Sequence, residues 1–228
     1  MEGIPYHITQ RSNGRQQVFF DERDYALYLD LLRVYSQEAK LQILAYCVMP
    51  NHIHLIAVPA RPDSMAAALG RSHADFARHF NLRHRSCGHV WQSRYFSCPL
   101  DEVDLWLAMA YVERNPVRAR IVERAESFRW SSAAGRLADG HGPDWVELSR
   151  WQAEYTRDQW RQVLETSVGE ESFGRRLQEA SRRGRPLGQE SFAHGLEQQA
   201  GRPLLPQAVG RPRKQIPEGD QLSLQIGV

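Results

Sequence analysis

Two pairs of residues in this 228-residue sequence have side chains and spacings suited to chemistry. The first is His52-Ile53-His54. On a β-strand, residues two apart point to the same face. The two imidazoles would stand side by side among apolar Ile53, Leu55 and Ile56, an arrangement suited to a divalent metal. With nine histidines in the chain, such a triplet also arises by chance. The second pair is Tyr111 and Asn115, four apart and so on one face of a helix. A tyrosine hydroxyl can act as the nucleophile of phosphoryl transfer once its proton is drawn away. An amide oxygen can be the third ligand of a hard metal such as magnesium. Ordinary readings stand beside these. Without further signals the ordinary reading is favoured for each: Tyr111 as a core aromatic on the stripe Val103, Trp106, Leu107, Ala110, and Asn115 as a helix C-cap before Pro116.

The elements that must position these residues follow from periodicity and punctuation. Ile4 to Arg11 alternates and ends at the turn signal Ser12-Asn13-Gly14-Arg15, which predicts a strand. Asp21 can N-cap a helix carrying Tyr25, Tyr28, Leu29, Leu32 and Tyr35. Leu41 to Met49 reads as a buried strand, broken by Pro50-Asn51, and His52 to Val58 as the next. Ser64 is placed to cap a helix through His84, with Met65, Leu69, Phe76 and Phe80 on one stripe. His89 to Cys98 predicts a fourth strand. Asp101 caps a helix that must stop near Asn115, because Pro116 follows. The order β-α-β-β-α-β plus a helix predicts an α+β, ferredoxin-like antiparallel sheet, with an extra helix carrying the tyrosine. Its second face is left open or covered by that helix. Residues 1–140 read as a catalytic domain and 141–200 as a small helical region in which Trp151, Tyr155, Trp160 and Leu164 can pack on it. Residues 201–228 read as an extended or disordered tail rich in Pro, Gly and Arg.

Several stretches together resemble one family. Pro50-Asn51-His52-Ile53-His54-Leu55-Ile56 resembles the His-hydrophobic-His motif of the HUH single-strand nucleases. Tyr111-Val112-Glu113-Arg114-Asn115-Pro116-Val117-Arg118 resembles the Tyr-x-x-x-Asn-Pro-Val signature of their single-tyrosine branch. Pro5 to Arg11, Val90 to Tyr95 and Phe128 to Ser132 are similar to that branch as well, in the same order. The likeness points to the REP-associated tyrosine transposases. It implies that His52, His54 and Asn115 bind a divalent metal, Mg2+ or Mn2+, and that Tyr111 attacks a phosphodiester of single-stranded or hairpin DNA. The expected products are a 5′-phosphotyrosine and a free 3′-hydroxyl, with no external energy source. Asn51 departs from relatives that have an acid there, which is expected to tune the site. His7 and Glu113 are candidates for the base by proximity alone. A catalytically inactive ferredoxin-like nucleic-acid binder, or a hydrolase using water, is the alternative.

Charge supports a nucleic-acid partner. All but two of the 29 basic residues, Lys40 and Lys214, are arginine, whose planar fork fits phosphate. Between Arg71 and Arg94 the arginines Arg71, Arg78, Arg83, Arg85 and Arg94 face a single acid, Asp75. With Trp91 and Tyr95 as stacking platforms they form an expected DNA path. Gly-Arg-Pro occurs at Gly184, Gly201 and Gly210. Arg183, Arg185, Arg211, Arg213 and Lys214 around the first and last copies resemble AT-hook cores, in which arginines enter a narrow minor groove. The composition excludes a wholly disordered chain, and no apolar run is long enough for a membrane span. Three cysteines without a CxxC pair argue against a disulfide scaffold. With no leader pattern at Met1 to Pro5, a cytoplasmic, nucleoid-associated protein is expected. Its oligomeric state, monomer or homodimer, is left open.

Overall fold

A computed structural model describes residues 1–138, 143–166 and 169–205 of the chain. β1 (Tyr6–Arg11), α1 (Glu22–Glu38), β2 (Leu41–Met49), β3 (His52–Pro59), α2 (Ser64–Arg83) and β4 (Phe96–Pro99) form the split β-α-β unit. The sheet order is β2-β3-β1-β4 and every pairing is antiparallel. α3 (Glu102–Glu113) and the single turn α4 (Asn115–Arg118) carry the tyrosine segment. The ferredoxin-like arrangement expected from the sequence is therefore present.

Local chemistry explains most boundaries. Gly14 turns at φ 60° after β1. Asp21 and Asp24 form a capping box at the start of α1, and Asp101 accepts from the Asp104 amide at the start of α3. Ser64 does not cap α2: Asp63 holds that position, and the Ser64 hydroxyl instead joins the Arg61 amide to the Lys40 carbonyl. The fourth strand is shorter than the sequence predicts. Trp91 turns into the core beside Phe76, ring centroids 5.6 Å apart, and fixes its indole N–H on the His73 carbonyl. That inward turn breaks the alternation a strand over 89–95 would need.

Helices cover both faces of the sheet. α1 and α2 bury one face, with Tyr28, Leu32, Leu69 and Phe76 over Ile8, Tyr46, Val48, Ile53 and Leu55. A register shift between Ile43 and Ala45 in β2 lets Leu44 and Ala45 both join the opposite core. That second core holds Cys47, Met49, Ile56 and Cys98 against Leu105, Ala108, Met109 and Val112 of α3. It also contains Leu137 of α5 (Ser132–Leu137), Trp151 of α6 (Ser149–Glu154), Trp160 and Leu164 of α7 (Arg157–Glu165), and Phe173 and Leu177 of α8 (Glu170–Arg183). The second face is covered by α3 and by the C-terminal helices together, not by α3 alone. α9 (Glu190–Ala200) follows. Among the described residues no helix is long and apolar enough to cross a membrane.

Candidate active site

Alternation along β1 and β3 assembles the site on the second face. Thr9 pairs with His54 and Arg11 with His52, so His7, Thr9 and Arg11 stand on the same face as the two imidazoles. The His52 and His54 rings are 5.1 Å apart between centroids. Above them, Tyr111 presents its ring edge-on to His54 at 6.0 Å and to His7 at 6.5 Å. The structure thus brings His52, His54 and Tyr111 together. Asn115 opens α4 one turn later, and its amide nitrogen donates to the Tyr111 carbonyl at 3.2 Å. Only its amide oxygen remains to offer a metal.

Both imidazoles are kept neutral. Burial pushes His52 down to about 4, helped by the charges of Arg11 and Arg118. Burial holds His54 well below the usual histidine range, with His52, His7 and Arg118 adding to the effect. A neutral imidazole keeps a lone pair for a metal. The Nδ1 of His52 lies 2.6 Å from the Asn51 amide oxygen, which can only accept, so Nδ1 carries the proton and Nε2 is bare. Asn51 in turn donates to the Arg15 carbonyl at 3.0 Å, which orients its amide. The departure at position 51 therefore retains an acceptor for the histidine. Among the described residues no group of three His, Cys, Asp or Glu side chains is set to hold a metal. The donor set fits a divalent cation through two imidazole nitrogens and one amide oxygen, with the remaining positions open to oxygen from outside the chain.

Tyr111 is 2% exposed, so it is both a core aromatic and a site residue. Its hydroxyl accepts from the Gln178 amide at 2.9 Å, and the Arg118 guanidinium lies 4.2 Å over its ring. α8 approaches closely because residue 174 is glycine: a Cβ there would sit 2.6 Å from Tyr111 Cε2. Glu113 fixes the helix from its other side. It is fully buried and accepts from Ser132 Oγ at 2.6 Å, Arg136 Nε at 3.0 Å and Trp160 Nε1 at 2.7 Å. Its carboxylate is taken up by these bonds. His7, pushed down to about 3 by burial, has both nitrogens bonded, to Ser181 Oγ and His54 Nδ1. Neither candidate base is directed at the phenol oxygen.

A cavity of about 620 Å³ opens beside His54 and is lined by Arg11, Arg15, Gln178 and Arg182. Arg15 is held there by a left-handed backbone, φ 59°. Burial lowers the proton affinity of Arg11, and the charges of Arg15 and Arg182 lower it further. Among the described residues none of these three arginines makes an ion pair with an acid. Sequence reading missed Arg11, Arg15, Arg118, Gln178, Ser181 and Arg182. The alternation of β1 could have flagged Arg11; nothing local marks α8 as part of the site.

The expected DNA path lies elsewhere. α2 packs on the opposite face, where Arg71 pairs with Glu38, Arg78 with Asp75, and Arg83 with Asp21 and Asp24. Arg85 is exposed just beyond α2, at φ 49°. Arg94, Trp91 and Tyr95 line a separate cavity of about 690 Å³ with His73 and Phe96. Arg183 pairs with Glu179 at 3.2 Å. The first Gly-Arg-Pro copy closes α8: Gly184 is left-handed at φ 63°, and the Arg185 amide bonds back to the Ala180 carbonyl. In the second copy Gly201 is left-handed at φ 61° and follows the last residue of α9. Arg211, Arg213 and Lys214 lie outside the described residues.

The scaffold and site define a ferredoxin-like protein with a histidine pair on the sheet facing a tyrosine helix. The family model described as "Transposase IS200 like" matches residues 1–115, half of the chain, and the chain belongs to that family. A Haemophilus influenzae protein assigned as a REP-associated tyrosine transposase is 29% identical over 103 residues, 40% of this chain. The chain spans only 58% of that relative's length. The solved structure of a REP-associated tyrosine transposase bound to a REP hairpin is 19% identical, with a TM-score of 0.51. That match covers 64% of this chain and 87% of the other, a likeness of fold.

Proposed function

We propose that this chain is a metal-dependent single-strand DNA transesterase acting on hairpin-forming repeats, with Tyr111 as the nucleophile. The observation that carries this reading is the convergence of the Tyr111 helix and His54 beside a groove of three arginines that have no acidic partner among the described residues. An apolar core needs none of these groups. Arg11, Arg15 and Arg182 bind the DNA backbone as guanidinium forks. Attack by Tyr111 Oη on phosphorus forms the phosphotyrosine ester, and the bond to the 3′-oxygen breaks. The phenol proton passes to solvent, the 3′-oxygen takes up a proton from solvent and leaves as the free hydroxyl, and a DNA hydroxyl can reverse the step on another strand. Gln178 donates to the phenol oxygen, which supports the charge formed there as the proton leaves, and yields that place as the phosphate enters. His52, His54 and Asn115 would hold Mg2+ or Mn2+, which supplies polarisation of the phosphate and neutralises its charge. The relative's described assignment and the hairpin-bound fold neighbour support hairpin DNA as the partner.

The test is a denaturing gel of end-labelled hairpin DNA incubated with the protein and Mg2+ or Mn2+. The wild type is expected to give a slow-migrating protein–DNA adduct. Tyr111→Phe removes one oxygen and little volume. It should abolish the adduct while single-strand binding persists. An adduct at wild-type yield from the Phe variant would refute the nucleophile, and a free 5′-phosphate without adduct would indicate attack by water.

A further inference from the structure

We infer that Ser181 of α8, acting through His7, sets the tautomer of His54 and so presents its Nε2 to the metal. The inference rests on the proposed metal role of His54. One placement of the protons satisfies every contact along the chain of bonds. Ser181 Oγ lies 2.7 Å from the Leu177 carbonyl, one turn back on α8. A carbonyl only accepts, so the hydroxyl proton occupies that contact; without it two oxygen lone pairs would face each other. The same Oγ lies 2.7 Å from His7 Nδ1. With its only proton directed at Leu177, Ser181 must accept there, so His7 has its proton on Nδ1. His7 is fully buried, and its neutral ring then leaves Nε2 bare. Nε2 lies 2.9 Å from His54 Nδ1 and must accept. His54 therefore donates from Nδ1, and its Nε2 has no proton.

A ligating histidine needs an outer partner on its second nitrogen to fix tautomer and ring orientation. His52 has the Asn51 amide oxygen, next to it in sequence. His54 has instead another histidine on the neighbouring strand, itself set by a hydroxyl 174 positions away in the sequence. Cys98 Sγ, 3.3 Å from the same Oγ, is the remaining polar neighbour of Ser181 and fills its last site as a weak donor. Ser181 and His7 are thus positioning residues, and α8 belongs to the site although it lies outside the residues that match the family model.

The experiment is long-range nitrogen–proton correlation NMR on the full chain, metal-free, with 15N-labelled histidine. The expected result is His7 and His54 both protonated on Nδ1. Ser181→Ala should redistribute both tautomers and weaken Mn2+ binding by calorimetry about tenfold, the scale of lost outer-partner contacts. Ser181→Thr, which keeps the hydroxyl, should restore both readouts. Protonation of His54 on Nε2 in the wild type, or unchanged tautomers in Ser181→Ala, would overturn the inference. The expected tautomers with no Mn2+ binding in the wild type would uphold the relay and remove the metal reading beneath it.

Discussion

The two faces of one sheet solve different problems. Under α1 and α2 the core is mostly apolar, with Phe19, Tyr28, Phe76 and Trp91 packed ring to ring and His73 buried among them. Its rim arginines Arg71, Arg78 and Arg83 are matched by acids. Under α3 and α8 the same strands bury His7, His54, Glu113, Arg136 and Asn115. Three rim arginines, Arg11, Arg15 and Arg182, have no acid among the described residues. Buried polar groups cost stability unless they are bonded. Here nearly every one has a partner; among the described residues the buried atoms left without a hydrogen bond are Arg114 Nε, Arg136 Nη1, Trp151 Nε1 and Glu170 Oε1. One face provides stability; the other holds groups in the states that chemistry needs.

Separating the faces by mutation should give the largest contrast. His54→Ala is expected to lower metal-dependent cleavage by about a thousandfold, since metal polarisation is worth several kcal/mol. Circular dichroism melts should shift little. Phe76→Ala on the other face should do the reverse. It should lose about 3–5 kcal/mol in urea unfolding, while the cleavage rate per folded molecule stays close to wild type. Equal activity in His54→Ala would end the distinction.

Gly174→Ala tests how tightly α8 must approach. The added Cβ meets the Tyr111 ring at 2.6 Å, so one of the two elements must shift. Single-turnover adduct formation should fall about a hundredfold, the cost of displacing a reacting group by about 1 Å. Gly195→Ala in α9, where nothing lies within 4 Å of the new Cβ, should be silent.

Acid titration sharpens the comparison further, because each face buries a neutral histidine. His7 and His73 are both pushed down to about 3 by burial. In the unfolded chain each gains a proton near the ordinary histidine value of about 6.5. Below that pH the unfolded state binds more protons, so stability is full above about 6.5 and is lost as pH falls towards 3. Each group contributes a slope of at most about 1.4 kcal/mol per pH unit. His73→Gln should flatten the urea-midpoint profile between pH 6.5 and 4. An unchanged slope would mean that His73 is protonated in the fold.

The smallest effects should come from the rim. Arg11→Gln or Arg182→Gln should reduce the salt slope of single-strand binding by about 0.7 per contact. Arg83→Gln should leave that slope unchanged and lower the melting temperature instead, because Arg83 joins Asp21 and Asp24 at the start of α1. Fluorescence anisotropy across a salt series reads both.

The order of elements was legible because hydrophobic period, Asp caps and Pro-Asn and Asn-Gly breaks are local signals, each confined to a few residues. His52-x-His54 and Tyr111 with Asn115 were legible for the same reason: strand and helix periods alone put each pair on one face. The arginines could be counted but not sorted. Whether Arg83 or Arg182 is free for phosphate depends on acids far away in the sequence, such as Asp21 and Asp24, and only packing brings them close or keeps them apart. The Gly-Arg-Pro repeat was visible as a repeat, yet two of its copies close helices, since the left-handed stop that glycine permits is a backbone outcome. Likewise Gln178 and Ser181 are ordinary residues of a polar helix until α8 lies across the sheet. Residue types and local periods specified which groups could react. The tertiary structure alone decided which were brought together, because contacts over more than a hundred residues arise from burial of shared apolar surface and leave no periodic trace.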